Sequence, residues 1–280
     1  VRTRKMLPVL GSLLLAALVP GVATGAPGGA EYVALGDSGA ATTGIQNFDV
    51  DAPLLCAQST TNTPKLVARE LGLQLDDRTC SSARIPHLTT SQSPGVAPQF
   101  DGLGPNTKVV TLHIGANDAQ FTRNILACHV GSLAGRACSD SQDPLWGNDI
   151  AAVGPAYATA LRQIHQLAPN ATVFVDGWPL YVRDTSCADL IGLTPRDAAY
   201  IQSKFDALND VVSREAVAHD AVYIDTRARS TGHDMCAAPG IRWFEPLVAG
   251  QTLVPYHPTL EGMQGVADVV VAAMRASGVS

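Results

Sequence analysis

No two of the six cysteines in this chain are spaced Cys-x-x-Cys, and beyond its first five residues it has no cluster of basic residues. The first absence argues against a zinc or redox site. The second, with a net charge of −6, removes the electrostatic footprint of a nucleic-acid partner. There is no internal repeat and no long linker, and no apolar run of membrane-spanning length follows the N-terminal stretch. Only 16% of the 280 residues are charged and 46% are hydrophobic, which fits one large α/β domain with a substantial core rather than a disordered or fibrous chain.

The first residues differ from the rest. Arg2, Arg4 and Lys5 precede an apolar stretch from Met6 to Val22, followed by Ala23-Thr24-Gly25-Ala26 and then Pro27-Gly28-Gly29. That is the basic start, apolar middle and small-residue exit of a secretory signal peptide. Pro8, Gly11 and Pro20 interrupt the stretch, which barely reaches the ~20 residues that a span needs. The expected division is therefore a signal peptide over 1–26 and a single domain over 27–280, exported and not inserted in a membrane after cleavage. Export makes disulfides the expected state of Cys56, Cys80, Cys128, Cys138, Cys187 and Cys236, with fifteen pairings open.

Five short apolar runs, at about 32–36, 73–78, 108–114, 171–177 and 221–225, alternate with helical patterns. Such alternation predicts a parallel sheet covered on both faces. A helix opens at Thr63-Pro64 and runs to Leu71. Another starts at Asp149 or at Gly154-Pro155 and reaches Leu167, with Tyr157, Leu161, Ile164 and Leu167 on one stripe. Thr194-Pro195-Arg196-Asp197 reads as a cap, a first-turn proline and an acidic first turn, opening a helix to about Ala218. A last helix spans Leu260 to Ala276. Segments 84–105, 128–148 and 227–256 lack periodicity and are expected as loops around the mouth of a site.

The first run, Tyr32-Val33-Ala34-Leu35-Gly36, ends in Asp37-Ser38-Gly39, the pattern of a buried strand delivering a hydroxyl to the C-terminal edge of a sheet. A Gly-Asp-Ser tripeptide alone marks little more than a turn or helix cap. Its company raises its weight: Gly115-Ala116-Asn117-Asp118 follows the third run, and Tyr256-His257-Pro258 precedes the last helix, with Gly262 completing His-Pro-x-x-x-Gly. Together these blocks, in this order from Tyr32 to Ala273, resemble the SGNH hydrolase superfamily and in particular the secreted GDSL-type esterases and lipases of actinomycetes. An α/β-hydrolase elbow, Gly-x-Ser-x-Gly, is absent, since Ala40 stands at its fifth position.

The resemblance implies a three-layer α/β/α fold with a five-stranded parallel sheet. It also implies a serine ester hydrolase acting on lipid or small acyl esters without metal or organic cofactor. Ester hydrolysis through serine needs a base, donors for the oxyanion, and a group that orients the base. By resemblance Ser38 is the nucleophile, His257 the base, and Ser38, Ser82 and Asn117 the oxyanion donors. Ser82 stands where the family has glycine, in Cys80-Ser81-Ser82-Ala83; a backbone N–H survives that change, though glycine's φ/ψ freedom does not. Many members carry Asp three residues before the histidine, and here that position is Val254. A main-chain carbonyl, of Val254 or Pro255, is expected instead to hold the imidazole N–H.

The resemblance also implies sequential disulfides, Cys56–Cys80, Cys128–Cys138 and Cys187–Cys236. Asp118 is expected to cap the following helix and Asp37 to make structural hydrogen bonds. His113 is expected as a hydrogen-bonded core residue. Trp243 and Phe244 belong to a scaffold loop with His233 and Cys236 and are placed along the acyl path. Two alternatives are a carbohydrate O-acetylesterase on the same fold, which would show a small polar pocket, and a secreted binding protein that has lost catalysis.

Overall fold

The computed structural model describes residues 28–41, 47–142, 145–248, 250–252 and 254–279. Residues 1–26, read as a signal peptide, lie outside them. Five parallel strands run in chain order: β1 (Tyr32–Gly36), β2 (Leu75–Asp77), β3 (Val109–His113), β4 (Thr172–Asp176) and β5 (Val222–Ile224). They pair in the spatial order β2-β1-β3-β4-β5. The two central strands β1 and β3 are buried at every position, which explains why they read as unbroken apolar runs rather than alternating ones.

Eight helices among the described residues accompany the strands: α1 (Ser38–Ala41), α2 (Thr63–Leu71), α3 (Phe121–Leu133), α4 (Cys138–Gln142), α5 (Leu145–Leu167), α6 (Pro195–Ala218), α7 (Thr226–Arg229) and α8 (Leu260–Ala276). α2 packs against α8, and α5 against α6, giving the expected three layers. Asn62 caps α2 through its side chain, and Thr194 with Asp197 forms a reciprocal capping box on α6. No helix among the described residues is long and apolar enough to cross a membrane.

Three expectations about the helices fail. Leu167, read on the buried stripe of α5, is 44% exposed at its end. α5 begins at Leu145, earlier than either start read from the sequence, and Pro155 lies inside it. Burial of Trp146, Ile150, Val153 and Tyr157 holds the helix together across the missing N–H. Segment 128–148 is mostly helical, with the end of α3, α4 and the start of α5. Its period is hidden because α3 buries Ile125, Cys128 and His129 on one side yet exposes Leu126, Val130 and Leu133 on the other. The disulfides are Cys56–Cys80, Cys128–Cys138 and Cys187–Cys236, the sequential set.

Candidate active site

The strand order reverses direction at β1 and β3: one leads outward to β2 and the other to β4 and β5. At such a switch point, the crevice beyond the carboxyl ends of the two strands is open for a ligand. β1 delivers Asp37-Ser38-Gly39 there, and β3 delivers Gly115-Ala116-Asn117. The two ends are joined directly, since Asp37 N–H donates to His113 O at 2.9 Å.

A buried side chain holds the end of β1. Gln99 Oε1 accepts from Gly36 N–H at 2.8 Å, and Gln99 Nε2 donates to Gly36 O at 2.9 Å. Gly36 O also accepts from Cys80 N–H at 3.0 Å, which brings the turn carrying Ser82 beside this strand end. Asn209 clamps the main chain of Trp178 in the same two-way manner after β4, at 2.7 Å in both directions. Nothing in the sequence pattern signals either amide, because a glutamine in a loop or an asparagine within a helix has many uses.

His257 approaches from the loop before α8. Its Nε2 lies 2.8 Å from Ser38 Oγ, and its Nδ1 lies 2.9 Å from Pro255 O. A carbonyl only accepts, so Nδ1 carries the proton and Nε2 presents its lone pair to the serine hydroxyl. The Val254 carbonyl is engaged elsewhere, accepting from Thr252 Oγ1 at 2.9 Å. Desolvation in the site pulls the imidazole pKa below its ordinary value, against the Pro255 carbonyl, which favours the charged form. At neutral pH the ring is therefore uncharged and able to accept a proton.

The loop that presents His257 is held as one ribbon with residues 243–245. Thr259 N–H donates to Trp243 O at 2.9 Å, Glu245 N–H to His257 O at 3.0 Å, and Tyr256 N–H to Glu245 O at 2.9 Å. Tyr256 takes a left-handed φ of 62°. Its hydroxyl lies 2.6 Å from Nε2 of His129, whose Nδ1 faces Ile191 O at 2.9 Å. Burial lowers the His129 pKa, so Nδ1–H donates to that carbonyl and Nε2 accepts the tyrosine O–H.

Asn117 lies in the same pocket as Ser38 and His257. One hydrogen of its amide goes to Ala83 O at 2.9 Å, leaving the other for a ligand. Ser82 does not line the pocket; it sits in the Cys80–Ala83 turn at φ 64°, the left-handed conformation that glycine takes without cost. Asp118 is not a cap: both its oxygens accept from Ile85 N–H, at 3.2 and 3.1 Å, and α3 starts after Gln120 without a side-chain cap.

Beneath the serine lies a buried charged group. Asp37 Oδ1 accepts from Gly39 N–H at 2.9 Å, while desolvation raises its pKa to about 6, against the pull of His113 and the Gly39 N–H. His113 Nδ1 donates to Asp176 Oδ2 at 2.8 Å. Burial alone would lower the His113 pKa, but the charge and hydrogen bonds of Asp176, with the charge of Asp37, hold it up at about 9. Gly39 has no room for a side chain, as a Cβ there would lie 2.4 Å from His113 Nε2.

The pocket, of about 120 Å³, is walled by Phe121, Ile125, Trp178, Tyr181 and Phe205. Tyr181 stacks on Phe205 with ring centroids 4.0 Å apart, and Phe121 meets Phe205 at 4.6 Å. Trp243 and Phe244 are not in this wall: Trp243 packs under α8, and Phe244 stacks behind Tyr181 at 3.9 Å. Of the three segments expected around the mouth, only residues 254–256 reach it among the described residues.

A hydroxyl hydrogen-bonded to a neutral imidazole, beside a carboxamide and an apolar pocket at the switch point of a parallel sheet, defines the class of carboxylic ester hydrolases. Residues 34–264 match the GDSL-like Lipase/Acylhydrolase family, and the chain belongs to that family. It is 40% identical over 247 residues to Lipase 2 of Streptomyces coelicolor, covering 85% of this chain and 83% of that protein. Among solved structures it is similar to phospholipase A1 from Streptomyces albidoflavus NA297, with a TM-score of 0.73 and 29% identity over 88% of this chain and 99% of that one. It is also similar to an extracellular lipase from Streptomyces rimosus, with a TM-score of 0.65 and 27% identity over 86% of this chain and 98% of that one.

Proposed function

We propose that Ser38 attacks the carbonyl carbon of a lipid or acyl ester while His257 Nε2 takes the hydroxyl proton, and that the protein does this outside the cell. The observation that carries the reading is the 2.8 Å contact between Ser38 Oγ and a ring whose other nitrogen is fixed by Pro255 O. The imidazolium then gives its proton to the departing alkoxide, and water attacks the acyl-serine by the same route in reverse. The free Asn117 amide hydrogen and the N–H group of Ser38, both within the pocket, serve the oxyanion. A dipole on Nδ1 stabilises the imidazolium less than a carboxylate does, yet it fixes the tautomer equally well.

The apolar wall favours an acyl chain over the acetyl group of a sugar ester, whose pocket would be small and polar. Export over residues 1–26 is supported by three disulfides and by the likeness to an extracellular lipase. The likeness to a phospholipase A1 makes phospholipid the substrate to test first.

The direct test is covalent labelling by a fluorophosphonate. Wild-type protein is expected to label and Ser38→Ala not to; unlabelled, correctly oxidised wild type would leave a binding protein. A panel of 4-nitrophenyl esters from acetate to palmitate addresses the acyl pocket. Turnover of acetate alone would favour the O-acetylesterase reading.

A further inference from the structure

One face of α3 is apolar and largely exposed. Leu126, Val130 and Leu133 are 46%, 64% and 68% exposed, and their spacing of i, i+4, i+7 places them in one row about 10 Å long. A solvated helix normally carries charge on such a face, and the three aliphatic side chains leave it apolar. Ile191, 41% exposed, extends the patch sideways, because its carbonyl is bound to His129 of α3 and the next residue, Gly192, lies against Leu133.

The row is continuous with the pocket that holds Ser38. Leu126 is both its first member and part of the pocket wall, and Val254, 41% exposed, stands in the same mouth. Basic residues mark both ends: Arg123 precedes Leu126 by one turn and Arg136 follows Leu133, both exposed. No acidic residue occurs from 121 to 136, in a chain of net charge −6. An apolar strip flanked by guanidinium groups fits a layer of acyl chains under phosphate headgroups.

We propose that this face of α3 seats the protein on the surface of a phospholipid aggregate, so that an acyl chain leaving that surface passes Leu126 into the pocket. The inference rests on the ester-hydrolase reading of that pocket and names the surface from which its substrate comes. Docking also bears on the base, since the His129–Tyr256 hydrogen bond ties α3 to the loop that presents His257.

The test uses Val130→Ser with Leu133→Ser, two residues outside the pocket. Partitioning onto vesicles of phosphatidylcholine and phosphatidylglycerol, measured in a Ser38→Ala background, is expected to fall about tenfold or more, given what burial of Val and Leu contributes. Hydrolysis of monomeric 4-nitrophenyl butyrate by the double variant should stay at the wild-type level. In Val130→Trp, the added indole should shift its emission to the blue on mixing with vesicles. Unchanged partitioning of the double variant, or no emission shift, overturns the proposal. So does a wild-type dimer in sedimentation that the double variant dissolves, because the face would then belong to a second copy. Loss of butyrate hydrolysis in Ser38→Ala reports on the catalytic reading alone, so the two readings fail separately.

Discussion

Gly262, the glycine of the His-Pro-x-x-x-Gly block, has a steric reason to be there. A Cβ at this position would lie 2.0 Å from Trp243 O, 2.8 Å from its carbonyl carbon and 3.0 Å from its Cα. These are backbone atoms that cannot rotate away, and ordinary contact begins at 3.4 Å, so Gly262→Ala must separate α8 from residue 243 by more than about 1 Å. Two effects compete. Alanine gains about 1 kcal/mol of helix propensity, whereas overpacking against a fixed backbone costs about 1–3 kcal/mol or more. With three backbone atoms inside contact distance the cost falls at the upper end of that range, giving a net loss of about 2 kcal/mol.

The displacement does not stay at residue 262. Trp243 O is also the acceptor for Thr259 N–H, and Glu245 N–H holds His257 O, so a wedge under the first turn of α8 shifts the His257 ring relative to Ser38. A misplacement of about 1 Å is expected to lower kcat/KM on 4-nitrophenyl butyrate by about 10²-fold. Urea denaturation and the butyrate assay measure the two effects. Gly147→Ala is the control, since a Cβ there meets nothing within 4 Å, and it should gain up to about 1 kcal/mol with unchanged turnover. A Gly262→Ala variant at least as stable as wild type and fully active would refute the reasoning.

Acylation should decline on the acid side with a midpoint below the ordinary histidine value of about 6.5, because desolvation lowers the His257 pKa; a midpoint above it in single-turnover kinetics would contradict this. Asn117→Ala is expected to lower kcat by about 10²–10³-fold with a smaller effect on KM, as for loss of one oxyanion donor; steady-state kinetics on a soluble ester decide it. His113, with a pKa raised to about 9, contributes stability that is complete below about pH 6.5 and lost as pH rises through 9. Urea midpoints between these two values should fall for wild type and fall less for His113→Asn.

Much of this was legible in the sequence for identifiable reasons. The strands of a sheet covered on both faces read as apolar runs, and β1 and β3 lie within a residue of the expected bounds. Thr194 and Asp197 announce α6 because capping is local chemistry, visible in four consecutive residues. Pro155 misled for the same local reason: it resembles a first-turn residue, whereas packing of α5 on α6 keeps it inside the helix. The blocks around Ser38, Asn117 and His257 located the pocket, but not its wall, because Phe121, Trp178, Tyr181 and Phe205 come from separate elements. The Gln99 clamp joins residues 63 apart in the chain and leaves no periodic trace. Which of two adjacent carbonyls faces the imidazole depends on the path of the loop, which the sequence pattern does not encode.

That the imidazole leans on Pro255 O rather than on an acid side chain has a genetic consequence. Every residue type supplies a peptide oxygen, so no codon change can delete the acceptor; only a change in the path of the loop can. Nor can that oxygen be neutralised by acidification, as an aspartate would be. Mutational libraries aimed at this support should therefore find their inactive variants among the neighbours that shape the bend, and none explained by loss of a functional group at 255 itself.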